Sequence, residues 1–153
     1  YPFDLAVERI KSAVAAARAL PRDLVVVARA DGMLTGSYDF DEALRRLEAF
    51  KAAGADCLYA PLPPSREQLG ALCQALAPVP VNGLIAGRYL KETRASMAEL
   101  GVARISLGST IARAAHKALV DGAKAMLDEG RFDALKGANG NAIDVLLAQG
   151  ARD

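Results

Sequence analysis

The chain has 153 residues, 52% of them hydrophobic, with 19 Lys and Arg against 18 Asp and Glu and a formal net charge of +1. Disorder requires low hydrophobicity and high net charge, so a folded chain with a sizeable core is expected, as a single domain over 1–153. The scattered, nearly balanced charge leaves no footprint for nucleic acid or an anionic membrane, and no apolar run reaches the roughly 18 residues of a membrane span.

The opening Tyr1-Pro2-Phe3-Asp4 carries neither signal-peptide features nor an initiator Met and leads straight into an amphipathic pattern, so an upstream segment is expected. Val7, Ile10, Val14 and Ala17 recur at helical spacing and predict a helix over 4–19, stopped by Pro21. Leu24-Val25-Val26-Val27-Ala28 is continuously apolar, the pattern of a parallel strand buried on both faces. A loop of turn formers runs from Gly32 to Asp39. Asp39 and Glu42 then form a capping pair for a helix marked by Ala43, Leu47 and Phe50 and ended by Gly54. Cys57 to Ala60 is the second strand. Ser65 and Gln68 cap the helix of Leu69, Leu72, Cys73 and Leu76, and Val79 to Leu84 is the third strand. A helix is predicted from Tyr89 to Leu100, ending at Gly101, and a fourth strand from Ala103 to Leu107. Ser109 opens a long helix through Glu129 that Gly130 closes. Arg131 to Asp153 reads as short helices around a Gly/Asn loop at Gly137 to Gly140.

Strict alternation of strand and helix means a parallel sheet with crossover helices, either doubly wound or part of a (β/α)8 barrel. A complete barrel needs about 250 residues, so this chain would supply about the last four βα units and the C-terminal helices. No Gly-x-Gly-x-x-Gly or phosphate-loop Lys motif follows the first strand, which argues against dinucleotides and nucleotides.

In either architecture the chemistry sits at the C-terminal ends of the strands. The first end carries Arg29 and Asp31. The arginine can bind a carboxylate or phosphoryl group through a bidentate pair, or serve in a structural ion pair. The second, Ala60-Pro61-Leu62-Pro63-Pro64, has no ionisable group and can only shape a wall. The third offers Asn82, either an amide donor to a substrate oxygen or a turn residue bonding nearby backbone. The fourth, Ser106-Leu107-Gly108-Ser109-Thr110, is either an anion site at a helix N-terminus or an ordinary cap. His116 falls inside the long helix, far from the strand ends. With one histidine and with Cys57 and Cys73 read as buried thiols, neither a nucleophilic triad nor a histidine metal site is supported.

These segments resemble the isocitrate lyase/phosphoenolpyruvate mutase superfamily. Val27-Ala28-Arg29-Ala30-Asp31 is similar to its Ala-Arg-Thr-Asp/Glu strand. Ala52 to Pro61 is similar to its AGAD-x-L-[YF]-x-P strand. Pro80-Val81-Asn82, Gly101 to Ser109 and the opening Ala6-Val7-Glu8-Arg9-Ile10 follow the same order, so the resemblance runs from about residue 4 to 135. The two buried thiols lead to the expectation of a reducing cytoplasm, and the resemblance implies a (β/α)8 barrel and a homo-oligomer, dimer or tetramer. It implies Mg²⁺ and a small carboxylic-acid substrate whose C–C or P–C bond is made or broken through an enolate-type pyruvate intermediate. By the same resemblance Arg29 would hold a substrate carboxylate or phosphonate and act in catalysis. Asn82, Ser106 and Gly108 would line the substrate, and Asp31 would support the outer shell of the metal. The superfamily's lyases carry Glu where this chain has Pro61. Its main metal ligands and its Cys-bearing catalytic loop belong to the first half of the barrel, so this stretch alone is expected to be inactive. Two other readings compete: a non-catalytic half-barrel that self-associates through its open strand edges, and an unrelated phosphate-binding barrel fragment.

Overall fold

A computed structural model describes residues 1–137 and 139–151; the expected Gly137 to Gly140 loop includes Ala138, which lies outside the described residues, as do Arg152 and Asp153. The chain divides into two compact units, Tyr1–Thr110 and Ile111–Asp153.

The first unit is an α/β fold. Its elements are α1 (Phe3–Arg18), β1 (Val27–Arg29), α2 (Gly32–Thr35), α3 (Phe40–Ala52), β2 (Cys57–Tyr59), α4 (Arg66–Leu76), β3 (Val81–Leu84), a 3-10 turn (Gly87–Lys91), α5 (Arg94–Glu99) and β4 (Arg104–Ser106). The strands form one sheet in the order β1-β2-β3-β4, each pair parallel. Sequential parallel neighbours joined by helices are consecutive βα units of a (β/α) barrel, one of the two architectures that the alternation in the sequence left open.

The predicted caps are in place. Asp39 accepts from the Glu42 N–H at 3.0 Å and Ser65 from the Gln68 N–H at 3.2 Å. Each satisfies one of the amides a helix start leaves without a partner.

The apolar run before β1 pairs later than its composition suggests: Leu24 and Val25 are 47% and 67% exposed. The Val26 N–H is taken by the Asp56 carboxylate at 2.8 Å, and the Leu24 carbonyl accepts from Arg18. The ladder therefore begins only at Val27, opposite Cys57. Continuous burial holds for β2, while the outer strands β1 and β4 are partly open. The helix expected over Tyr89 to Leu100 is broken in two. Thr93 is extended and forms a reciprocal capping box with Ser96, so α5 starts afresh there.

The two faces of the sheet differ in kind. Ala28, Leu58 and Val81 turn toward the helices and join Leu47, Phe50, Leu69, Leu72, Leu76 and Met97 in the core. This face is packed tightly. A Cβ on Gly83 would sit 2.4 Å from Met97 Cε, so β3 needs a glycine where α5 crosses it. Side chains alternate along a strand. The opposite face, the inner one of a barrel, therefore carries Arg29, Tyr59, Asn82, Arg104 and Ser106. The register sets Arg29 beside Tyr59, Tyr59 beside Asn82 and Asn82 beside Arg104.

The second unit comprises the body of α6 (Thr110–Glu129), a 3-10 turn (Asp133–Leu135) and α7 (Gly140–Gly150). Gly130, at φ +65°, ends α6. The chain then folds back so that Gly122 lies under Leu135, where a Cβ would come within 2.8 Å of Leu135 Cδ2. No described helix is long and apolar enough to cross a membrane.

Candidate active site at the strand ends

Arg29 is the last residue of β1. Its Nε donates to Asp31 Oδ1 at 2.5 Å, and its guanidinium carbon lies 5.2 Å from the centre of the Tyr59 ring. Both partners of the ion pair are about half exposed, at 47% and 49%. The pair is local, two residues apart on one rim, rather than a bridge between strands. It engages only Nε. Among the described residues the two terminal amino groups of the guanidinium have no protein partner, and those are the groups that grip an oxyanion. Arg29 and Asp31 also border a cavity of about 420 Å³ that lies toward the helix side of the rim, between Tyr1 and Ala6 of the N-terminal segment, Gly32 and Thr35 of α2, and Arg46 and Phe50 of α3.

Asn82 lies within β3, not in a turn, and its side chain is fully buried. Its Nδ2 donates to Ser106 Oγ at 2.8 Å, and its Oδ1 accepts from Arg104 Nη1 at 2.6 Å. The two β4 partners are two residues apart and share a face. Arg104 is absent from the residues singled out in the sequence. The available signal was strand alternation, which puts it on the face of Ser106; its contact with Asn82 follows only from the register.

Gly108 takes φ +53° in the turn after β4. Thr110 Oγ1 donates to the Ile85 carbonyl at 2.9 Å and its N–H bonds the Leu107 carbonyl, which ties this turn to the end of β3. The rim after β2 is an apolar wall. Pro61 is fully buried, and the Tyr89 hydroxyl lies 2.9 and 2.8 Å from the Pro63 and Ser65 carbonyls. Burial pushes the Tyr89 phenol above its ordinary pKa, so this hydroxyl stays protonated and donates.

The structure thus brings the predicted residues together in two groups, Arg29 with Asp31 and Asn82 with Ser106, with Tyr59 between them in register. Among the described residues no three His, Cys, Asp or Glu side chains cluster as a metal site. Asp31 is the acid at the rim beside Arg29 and is already held by it, so the described residues do not make a coordination shell for Mg²⁺. His116 lies in α6. Cys57 and Cys73 are buried, and desolvation raises both thiols, which keeps them protonated and unreactive.

Comparison with known proteins bears on the family and the fold. The family model described as phosphoenolpyruvate phosphomutase matches residues 1–127. An oxaloacetate decarboxylase of Paraburkholderia xenovorans (strain LB400) is 38% identical over 74 residues, which is 48% of this chain and 23% of that protein. A lyase/mutase candidate from Burkholderia cenocepacia J2315 superposes with a TM-score of 0.89 at 37% identity, over 97% of this chain and 53% of that one. An oxaloacetate acetylhydrolase in complex with the product oxalate superposes with a TM-score of 0.78 at 26% identity, over 97% of this chain and 50% of that one. The chain therefore spans about half the length of these solved relatives, and less of the curated one.

Proposed function

The chain belongs to the phosphoenolpyruvate phosphomutase family, within the isocitrate lyase superfamily of lyases and mutases, and on that premise we propose that it supplies the substrate-anion side of an active site for a small 2-oxo or 2-hydroxy acid. Membership displaces the reading as an unrelated phosphate-binding barrel fragment. The observation that carries the proposal is the open half of the Arg29 guanidinium at a strand's C-terminal end. Such a group binds a carboxylate bidentately.

The reaction class is the making or breaking of a C–C or P–C bond next to the oxo group. With oxaloacetate, named in two of the relatives, loss of CO₂ breaks a C–C bond. The electron pair stays on the remaining three-carbon unit as the enolate of pyruvate, which then takes up a proton. Arg29 holds the carboxylate and offsets the charge that spreads onto the enolate oxygen. Asn82, with Ser106 and the backbone at Gly108, supplies donors to a second oxygen. Asp31 fixes the guanidinium in orientation. Mg²⁺ fits the chemistry, but the described residues offer it no more than the outer carboxylate of Asp31. We place the complete protein in the cytoplasm as a homo-oligomer, with residues 1–153 forming one part of its barrel.

The test is oxalate binding by calorimetry, with the full native polypeptide that carries this sequence. Oxalate presents two coplanar carboxylates and mimics the enolate. Binding that weakens at least tenfold in Arg29→Ala agrees with the proposal. Equal affinity in both proteins refutes it.

A further inference from the structure

Arg104 begins β4 on the inner face, directly opposite Asn82 and two residues before Ser106. Among the described residues no carboxylate pairs with it, and its Nη1 donates to Asn82 Oδ1 at 2.6 Å. A guanidinium has donors only. The group facing it must therefore be the amide oxygen of Asn82, which fixes an orientation that an amide in a neutral pocket leaves free. The amide nitrogen then turns to Ser106 at 2.8 Å. Because the strands are parallel, Ser106 lies nearer the C-terminal rim than Arg104 does.

Each member of this line donates to the next. Arg104 donates to Asn82, and Asn82 donates to Ser106, whose oxygen is thereby an acceptor and whose own O–H must point elsewhere. At the rim end the line offers a donor, the hydroxyl proton of the half-buried Ser106, while Asn82 itself is fully buried behind it. Polarisation along such a line strengthens each bond.

We propose that Arg104 is a positioning residue: through the Asn82 oxygen it locks the Asn82–Ser106 pair as a donor surface, so the site accepts a carboxylate, oxo or enolate oxygen at that point and not a hydroxyl donor. This rests on the reading that Asn82 faces substrate. It assigns to Arg104 no contact with substrate at all.

The test is a double-mutant cycle in the full native polypeptide, with kcat/KM on oxaloacetate and the Kd of oxalate as readouts. Asn82→Ala and Arg104→Met each lower kcat/KM at least tenfold, and the double variant is no worse than Asn82→Ala within about a factor of two. Arg104→Lys, which keeps a donor for the Asn82 oxygen, recovers part of the loss. Losses that multiply in the double variant overturn the proposal, because Arg104 then acts independently. Full activity in Arg104→Met with activity lost in Asn82→Ala also overturns it while leaving the substrate role of Asn82 standing. Full activity in Asn82→Ala instead refutes that role and removes the premise. The lock is read without substrate by hydrogen exchange of the Asn82 side-chain amide in a selectively labelled sample. Exchange at least tenfold faster in Arg104→Met, and slowed again in Arg104→Lys, agrees with the lock. Equal exchange in all three contradicts it, even if no substrate is turned over.

Discussion

Replacing Arg29 by alanine separates function from stability, because the structure puts unequal magnitudes on the two. The side chain is 47% exposed and its ion pair with Asp31 is equally open. Such pairs contribute about 0–1 kcal/mol. The contact with the Tyr59 ring, at 5.2 Å, adds about 0.5–1 kcal/mol at an exposed site. Arg29→Ala should therefore destabilise the protein by less than about 2 kcal/mol, a fall in Tm of a few degrees. Loss of a donor aimed at developing negative charge costs about 100- to 1000-fold in rate. The expected result in the full native polypeptide is a nearly unchanged melting curve with kcat/KM on oxaloacetate down by about that factor. Thermal melts and steady-state kinetics on one preparation decide it. Turnover within a factor of about two of wild type would refute the role given to Arg29, because an anion-holding guanidinium cannot be removed so cheaply.

Other consequences follow from particular contacts. Gly83→Ala forces a methyl against Met97 and Val102 and should cost about 1–3 kcal/mol by overpacking; an unchanged urea midpoint would show that α5 yields instead. The Asp56 carboxyl is held below its ordinary pKa first by the Val26 N–H and then by Arg18. A depressed folded pKa stabilises above the unfolded value, and the contribution disappears as pH falls through the folded one. The stability gap between wild type and Asp56→Asn should be full at neutral pH and close on acidification below the usual carboxylate range; a gap that persists into strong acid contradicts this. Cys57 and Cys73, buried and shifted upward, should react with a disulfide reagent only on unfolding. Rapid native labelling of either would show that its environment is open.

The sequence exposed the architecture well because its signals are local. The caps at Asp39 and Ser65 each need only a residue and the amide three positions on, and both are formed. The α5 boundary was equally local, in the capping box of Thr93 and Ser96, yet the stretch from Tyr89 to Leu100 was read as one helix. The start of β1 was hidden for a different reason. Leu24 and Val25 look like strand residues, and what delays pairing is the distant Asp56, which takes the Val26 N–H. In the candidate site, Arg29 and Asp31 could be linked by their two-residue spacing. Asn82 could be noticed as a polar residue in an apolar strand. Arg104 could not be tied to it, since a lone arginine in a strand fits a solvated edge as well, and only the β3–β4 register brings the two together.

On the proposed function, Arg29 and Asn82 hold a small 2-oxo acid while a bond beside its oxo group is broken. Carbon-13 NMR of labelled oxaloacetate, incubated with the full native polypeptide and Mg²⁺, tests it most directly. Enzyme-dependent conversion to pyruvate and CO₂, or to oxalate and acetate, abolished in Arg29→Ala, is the expected result. Conversion no faster than in buffer, or conversion that Arg29→Ala leaves intact, would contradict it.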